Sequence, residues 1–343
     1  MTATTDSPSP SRTVLDMITG AWRTQALHTA VRLEVPDRIA AGTTAPDAIA
    51  EQAGADPAGV RRLLRLLADL GVLEHDGRGG YRNTPVSELL RDRPGSLRDM
   101  CLLYGDEFYK AWEHAADVVA GSGAPGFERA YGRPLITYLS QDEEAAARFQ
   151  RAMQAGHFFF DRLAEAVDFS GACVVDVAGG SGGLLAAVLD RHPGARGLLI
   201  DLDHMVPIAQ ATLEEAIGAG RAEAIAGDVF ESVPSGGDVY LLSRLLGDWD
   251  DAACVRLLDN CRRAAPADGR ILVLERVVGK GEDPELASLW DLHLLMMNGG
   301  GQRTLDQFRG LADAAGLRVE RLIPLPMGNA CIELRPARGR TAP

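Results

Sequence analysis

The segment Val174-Val175-Asp176-Val177-Ala178-Gly179-Gly180-Ser181-Gly182-Gly183 constrains this chain more than any other. Its apolar start predicts a buried strand, and the helical pattern over Leu184–Asp190 completes a strand–turn–helix unit. Glycines let the backbone turn sharply and let a ligand approach to van der Waals contact. The helix N-terminus behind them favours an anionic group such as a carboxylate. Nucleotide-binding folds of several kinds use such a turn, and it also serves as a tight connection with no ligand.

Around this unit, short apolar runs alternate with helical stretches, with expected strands at Cys173–Val177, Gly197–Leu202, Ala222–Ala226, Asp238–Leu242 and Arg270–Leu274. Such alternation predicts an α/β fold with a parallel, Rossmann-like sheet. Two further runs, Leu317–Ile323 and Ala330–Leu334, are close together and predict a final antiparallel hairpin. Asp201 ends the second strand, where an acid can bond both ribose hydroxyls. Asp228 ends the third within Gly227-Asp228-Val229-Phe230, suited to an adenine amino group with a ring stacked beside it. A solvated loop Asp explains each alone, but three acids at three successive strand ends fall where open α/β sheets bind ligands.

The first half reads differently. Residues 14–41 have helical spacing in Val14, Ile18, Trp22, Ala26, Ala30 and Leu33. Asp56 is an expected N-cap for a helix over Gly59–Leu70, whose apolar face is Val60, Leu63, Leu64, Leu66 and Leu67. Val72–Glu74 and Tyr81–Asn83 flank the turn DGRGG, so helix, turn, helix and hairpin follow in winged-helix order. Residues 1–13 read as a disordered leader, 14–100 as the winged-helix region, 101–170 as helical, and 171–338 as the Rossmann-like domain.

A winged helix raises the possibility of a DNA-binding regulator, with Arg61, Arg62 and Arg65 on one helix. Residues 1–100 carry 12 basic and 13 acidic side chains, and the whole chain has a net charge of −13. No basic footprint develops, which opposes nucleic-acid or anionic-lipid partners. No apolar run reaches the roughly 18 residues of a membrane span. The five cysteines form no CxxC pair, so neither a disulfide framework nor a zinc site is expected, and the protein reads as cytoplasmic.

The successive segments DVAGGSGG, LLIDLDHMVPIA, AGDVFESVPSGGDVYLLSRLLGDWDD, GRILVLERVV and LHLLMMNGGGQRT, with Phe149-Gln150-Arg151-Ala152-Met153 before them, resemble the O-methyltransferase family of plant phenolic and bacterial natural-product enzymes. The resemblance covers nearly the whole chain. It implies a class I methyltransferase domain using S-adenosyl-L-methionine, preceded by an all-helical, winged-helix dimerisation region, and a homodimer acting on a small aromatic or related metabolite. It assigns the cofactor to Gly180, Gly182, Asp201 and Asp228, with Asp176, Gly179, Leu202, Gly227, Val229, Phe230, Ser243, Arg244 and Met153 completing the expected contacts. Ala178 stands where the family usually has glycine, a change that is tolerable if φ there is negative.

The family pattern breaks at the base. Members that take a phenolic proton usually carry His before Asp-Trp, and here Gly247 precedes Asp248 and Trp249. One flanking acid of the family matches Glu275, while the other falls at the neutral Gln302. Three readings follow: transfer by proximity alone, another base, or a different reaction such as C- or N-methylation or a non-methylating one. His293 and His157 are the candidate bases, with Asp248 and Glu275 as further candidate catalytic groups. Trp112, Phe108, Tyr109, His157, Asp248, Trp290, His293 and Met297 are the expected acceptor contacts. Asp248 and His293 alone would make an incomplete metal donor set, so no metal is expected.

Overall fold

The computed structural model describes residues 9–121, 123–155, 159–280 and 283–337. The chain forms two compact units, the first from residues 1–109 and 143–155, the second from 110–142 and 156–343. The helical stretch 101–170 is thus divided between them rather than standing alone.

In the first unit the helical stretch expected over 14–41 starts earlier, at Pro10 within the expected leader, and is divided into Pro10–Ile18, Gly20–Arg32 and Val35–Ala40. Asp56 caps the Pro57–Asp69 helix by accepting from the Gly59 amide at 2.7 Å, as the sequence pattern predicted. The buried stripe of that helix is narrower than expected: Val60, Leu64 and Leu67 face the core, whereas Leu66 is exposed. Spacing of four and three residues puts those three on one face, and Leu66 lies a quarter-turn away. The hairpin forms between β1 (Leu73–His75) and β2 (Tyr81–Asn83), with Leu73 and Tyr81 closing the core over Ile49, Leu64 and Leu67. Arg61 pairs with Asp47. Among the described residues the Pro10–Ile18 helix buries none of its side chains, and Met17 and Trp22 are 73% and 67% exposed.

The second unit is built on a sheet of eight strands among the described residues. These are β3 (Cys173–Val177), β4 (Arg196–Asp201), β5 (Ala222–Ala226), β6 (Val239–Ser243), β7 (Arg270–Val278), β8 (Arg303–Thr304), β9 (Leu317–Pro324) and β10 (Asn329–Pro336). Their order is β5-β4-β3-β6-β7-β10-β9, with the short β8 alongside β7. β3 to β7 run parallel, and β10 is antiparallel to both neighbours, which makes the expected final hairpin. Strand order reverses between β3 and β6, so the ligand crevice of an open α/β sheet falls at their C-terminal ends. Leu185, Leu189 and Phe169 fill one face of the sheet, and Leu257, Leu258 and Phe308 fill the other. Among the described residues, no helix is long and apolar enough to cross a membrane.

Candidate active site

The glycine turn leaves β3 and enters the Gly183–Arg191 helix, with Gly180 at φ 59° and Gly182 at φ 80°. An added Cβ at Gly180 would meet nothing within 4 Å, so the backbone there faces open space. At Gly179 a Cβ would come within 2.7 Å of the Asp176 carboxylate, which keeps the turn folded tightly over β3. Ala178 corrects the sequence expectation: its φ is 54°, in the left-handed region. The cause is the Ala178 amide, which donates to the Ile200 carbonyl at 2.9 Å and continues the sheet while the chain turns away. A methyl group in that conformation costs roughly 1 kcal/mol.

The acids expected at the strand ends gather on this side of the sheet. Asp201 accepts from the Gly180 amide at 2.7 Å through Oδ2 and from the Leu202 amide at 2.7 Å through Oδ1, which ties the tip of β4 to the glycine turn. Leu202 is half exposed beside it. Past β5, Asp228 is exposed and accepts from the Phe230 amide at 2.8 Å, closing the Gly227–Phe230 turn, while Val229 is buried beneath. The Phe230 ring meets Trp249 edge-on at 4.8 Å. Asp176 is buried, and both its oxygens are sealed from solvent without a well-formed hydrogen bond. Burial, then the Asp201 charge, push its pKa up to about 7, against a lowering influence from the Leu185 amide. Ser243 Oγ, at the tip of neighbouring β6, is also buried without a partner. Arg244 follows with φ 52°. Orphaned polar atoms at two adjacent strand tips, beside an open glycine turn, fit a ligand with a cationic and a hydrogen-bonding end.

A second cluster surrounds the turn Leu246–Asp248. Glu275, buried on β7, accepts through Oε1 from the Leu246 amide at 2.9 Å and the Gly247 amide at 3.3 Å. Burial and the Asp248 charge push its pKa up to about 7, with those amides and Arg244 pulling it down. Asp248 accepts from Asn298 Nδ2 at 2.8 Å. It keeps accessible surface, yet the protein surrounds it closely enough that desolvation raises its pKa, with Asn298 and Arg244 opposing. Arg303, buried on β8, donates to the Leu246 carbonyl at 2.7 Å, to the Trp249 carbonyl at 2.7 Å and to Asp251 at 2.9 Å. No sequence signal marked this guanidinium, because its partners are more than 50 residues away.

On the Pro284–Met297 helix, His293 is buried, and its Nδ1 lies 3.3 Å from the Trp112 indole Nε1. Trp290 meets the imidazole edge-on at 5.4 Å, and Arg276 stacks on Trp290 at 4.4 Å. Burial pushes the His293 pKa down to about 4. In this geometry the Nδ1 lone pair faces an indole donor and burial lowers the affinity of the ring for a proton, both of which oppose a role as base. Met297 is buried at the end of the same helix. Phe108, Tyr109 and Met153 belong to the first unit, where Phe108 is buried against Tyr104 and Phe149. His157 lies outside the described residues.

The sheet and its glycine cradle define an S-adenosylmethionine-dependent methyltransferase. The family model described as the O-methyltransferase domain matches residues 112–318, and that of the O-methyltransferase dimerisation domain matches residues 15–93. The chain belongs to the O-methyltransferase family. It is 41% identical to a phenazine-1-carboxylate N-methyltransferase of Pseudomonas aeruginosa, over 92% of this chain and 95% of that protein. It is 39% identical to a 3-amino-4-hydroxybenzoate 4-O-methyltransferase of Streptomyces cremeus, over 92% and 87%. A methyltransferase of calicheamicin biosynthesis, solved with S-adenosylhomocysteine bound, superposes with a TM-score of 0.86 at 31% identity, covering 97% of this chain and all of that one.

Proposed function

We propose that this enzyme methylates the hydroxyl of a small aromatic metabolite that is already ionised when it binds. The observation that carries the reading is the turn at Gly247. It has no titratable side chain, and the flanking Glu275 gives an oxygen to the turn's own amides. When bound, the cofactor supplies an electrophilic methyl group on a sulfonium. The chain would hold it with Asp176, Gly179, Gly180 and Gly182 at the methionyl end and Asp201 with Leu202 at the ribose. Gly227, Asp228, Val229 and Phe230 would hold the adenine, and Ser243 and Arg244 would line the site. The remaining task is alignment, since holding reactants near contact distance supplies roughly 7–11 kcal/mol. Asp248 would anchor the acceptor, and Trp112, Trp290 and His293 would provide its aromatic wall.

The same observation favours a second reading, methylation of a ring nitrogen, whose lone pair needs no base. The 41% relative carries the name of an N-methyltransferase. Transfer of radiolabelled methyl to a panel of hydroxybenzoates, hydroxynaphthoates and phenazine carboxylates separates the two by product. Labelling of none of them, by protein that binds S-adenosylhomocysteine, would sink both. Asp201→Ala is expected to weaken S-adenosylhomocysteine binding in calorimetry, and unchanged affinity would refute the ribose assignment.

The exposed apolar side of the first helices and the dimerisation-domain match support a homodimer through residues 14–100. A monomeric mass in light scattering at micromolar concentration would rule that out. The acidic charge supports an enzyme that engages neither nucleic acid nor anionic lipid.

A further inference from the structure

The base position is not an open gap, because two side chains have closed on it. A Cβ built on Gly247 would stand 3.2 Å from Leu294 Cδ1 and 3.4 Å from Gln302 Nε2. Gln302 is therefore the polar group nearest to where a base would begin. Its backbone is fixed: the Gln302 amide donates to Asp291 at 2.7 Å, and the Gly301 amide to the Gly247 carbonyl at 2.9 Å. Gly300 seals the join, since a Cβ there would come within 2.1 Å of the Gly247 carbonyl oxygen. The side chain, by contrast, makes no hydrogen bond among the described residues, and Oε1 is buried without a partner. Nε2, the donor half of the same amide, likewise has no partner among the described residues and faces the Gly247 position, so it can donate to an acceptor atom of a ligand. Through Asp291 the segment is tied to the Pro284–Met297 helix, which also carries Trp290 and His293 of the proposed acceptor wall.

We propose that Gln302 is a specificity-determining residue, whose side-chain amide donates a hydrogen bond to the oxygen anion or other lone-pair atom of the aromatic acceptor. The inference rests on the acceptor reading above and deepens it. A neutral donor replaces the charged apparatus of the family at this point. It favours an acceptor that arrives without its proton and holds it without taking one.

The test is equilibrium binding of 4-nitrophenolate, followed by its absorbance, to the full chain saturated with S-adenosylhomocysteine. Gln302→Met, close in shape but without polar atoms, is expected to weaken the probe about tenfold. S-adenosylhomocysteine affinity should stay within twofold. Gln302→Glu is expected to weaken the anion further as pH rises and the new carboxyl ionises. Because the amide holds nothing in the fold, the Tm of Gln302→Met should be unchanged or raised. Equal probe binding by wild type and Gln302→Met overturns the proposal, as does no saturable binding by wild type or a Tm lowered by several degrees. Binding of the probe without methylation of any acceptor in the panel would instead overturn the proposed function and leave this site standing.

Discussion

The Trp112 indole Nε1 lies 3.3 Å from Nδ1 of His293, joining residues 181 positions apart. An indole N–H only donates, so Nδ1 must accept and the imidazole proton is on Nε2. The ring is thereby set in one neutral tautomer, and burial holds its pKa down at about 4. A ring held at that value stays largely neutral between pH 5 and 8. His293→Gln is therefore expected to alter kcat or KM without moving the limbs of the pH–rate profile in that range. Loss of a limb near pH 6 to 7 in this variant would restore His293 as a titrating base.

Ala178 gives a prediction about stability. Its φ of 54° is one that glycine adopts freely and alanine does not. Ala178→Gly removes roughly 1 kcal/mol of strain, partly offset by the greater freedom of glycine in the unfolded chain. A net gain of about 0.5 kcal/mol is expected, seen as a slightly higher denaturation midpoint with S-adenosylhomocysteine affinity retained. A drop in midpoint would mean that the methyl makes contacts worth more than the strain.

Arg303 is the clamp of the acceptor-side turn. Its guanidinium bonds two carbonyls and a carboxylate at 2.7 to 2.9 Å while buried. Arg303→Met takes the guanidinium from both carbonyls, leaving them only weaker donors such as the Cys254 thiol, and a cost of about 2 kcal/mol is expected in chemical denaturation. Arg303→Lys should recover only part, because an ammonium lacks the planar fork that reaches Leu246 and Trp249 together. Wild-type stability in Arg303→Met would show that the turn holds without it.

The features legible in the sequence were the local ones. The glycine turn, the acids at strand tips and the Asp56 cap all follow from residues within one or two elements, where period and spacing carry the information. Features formed by distant pairs were not legible. Nothing near His293 announces Trp112, and nothing in Gly-Gln-Arg-Thr announces that Arg303 points back to Leu246 while the Gln302 amide is left unpaired. The Ala178 expectation failed for a related reason: its dihedral is set by a hydrogen bond to the Ile200 carbonyl on the next strand, not by its neighbours in the chain. Leu66 is apolar and adjoins the buried Leu67, so residue type alone does not separate it from the buried face.

Asp176 links cofactor binding to pH. Its pKa is raised from 3.8 to about 7 in the folded chain, chiefly by burial and then by the Asp201 charge. A carboxyl raised in this way contributes stability that is present below about pH 4 and is lost as pH rises through about 7. Asp176→Asn should therefore be more stable relative to wild type at pH 8 than at pH 5, by thermal denaturation at both. A ligand with a cationic amino group reverses the balance, because it favours the carboxylate and lowers the pKa. S-adenosylhomocysteine binding by wild type is then expected to release up to one proton between pH 6 and 8. Affinity should rise with pH over that window, while Asp176→Asn releases none there. Calorimetry in buffers of different ionisation enthalpy measures the proton count directly, and identical counts for the two proteins would remove Asp176 from the cofactor site.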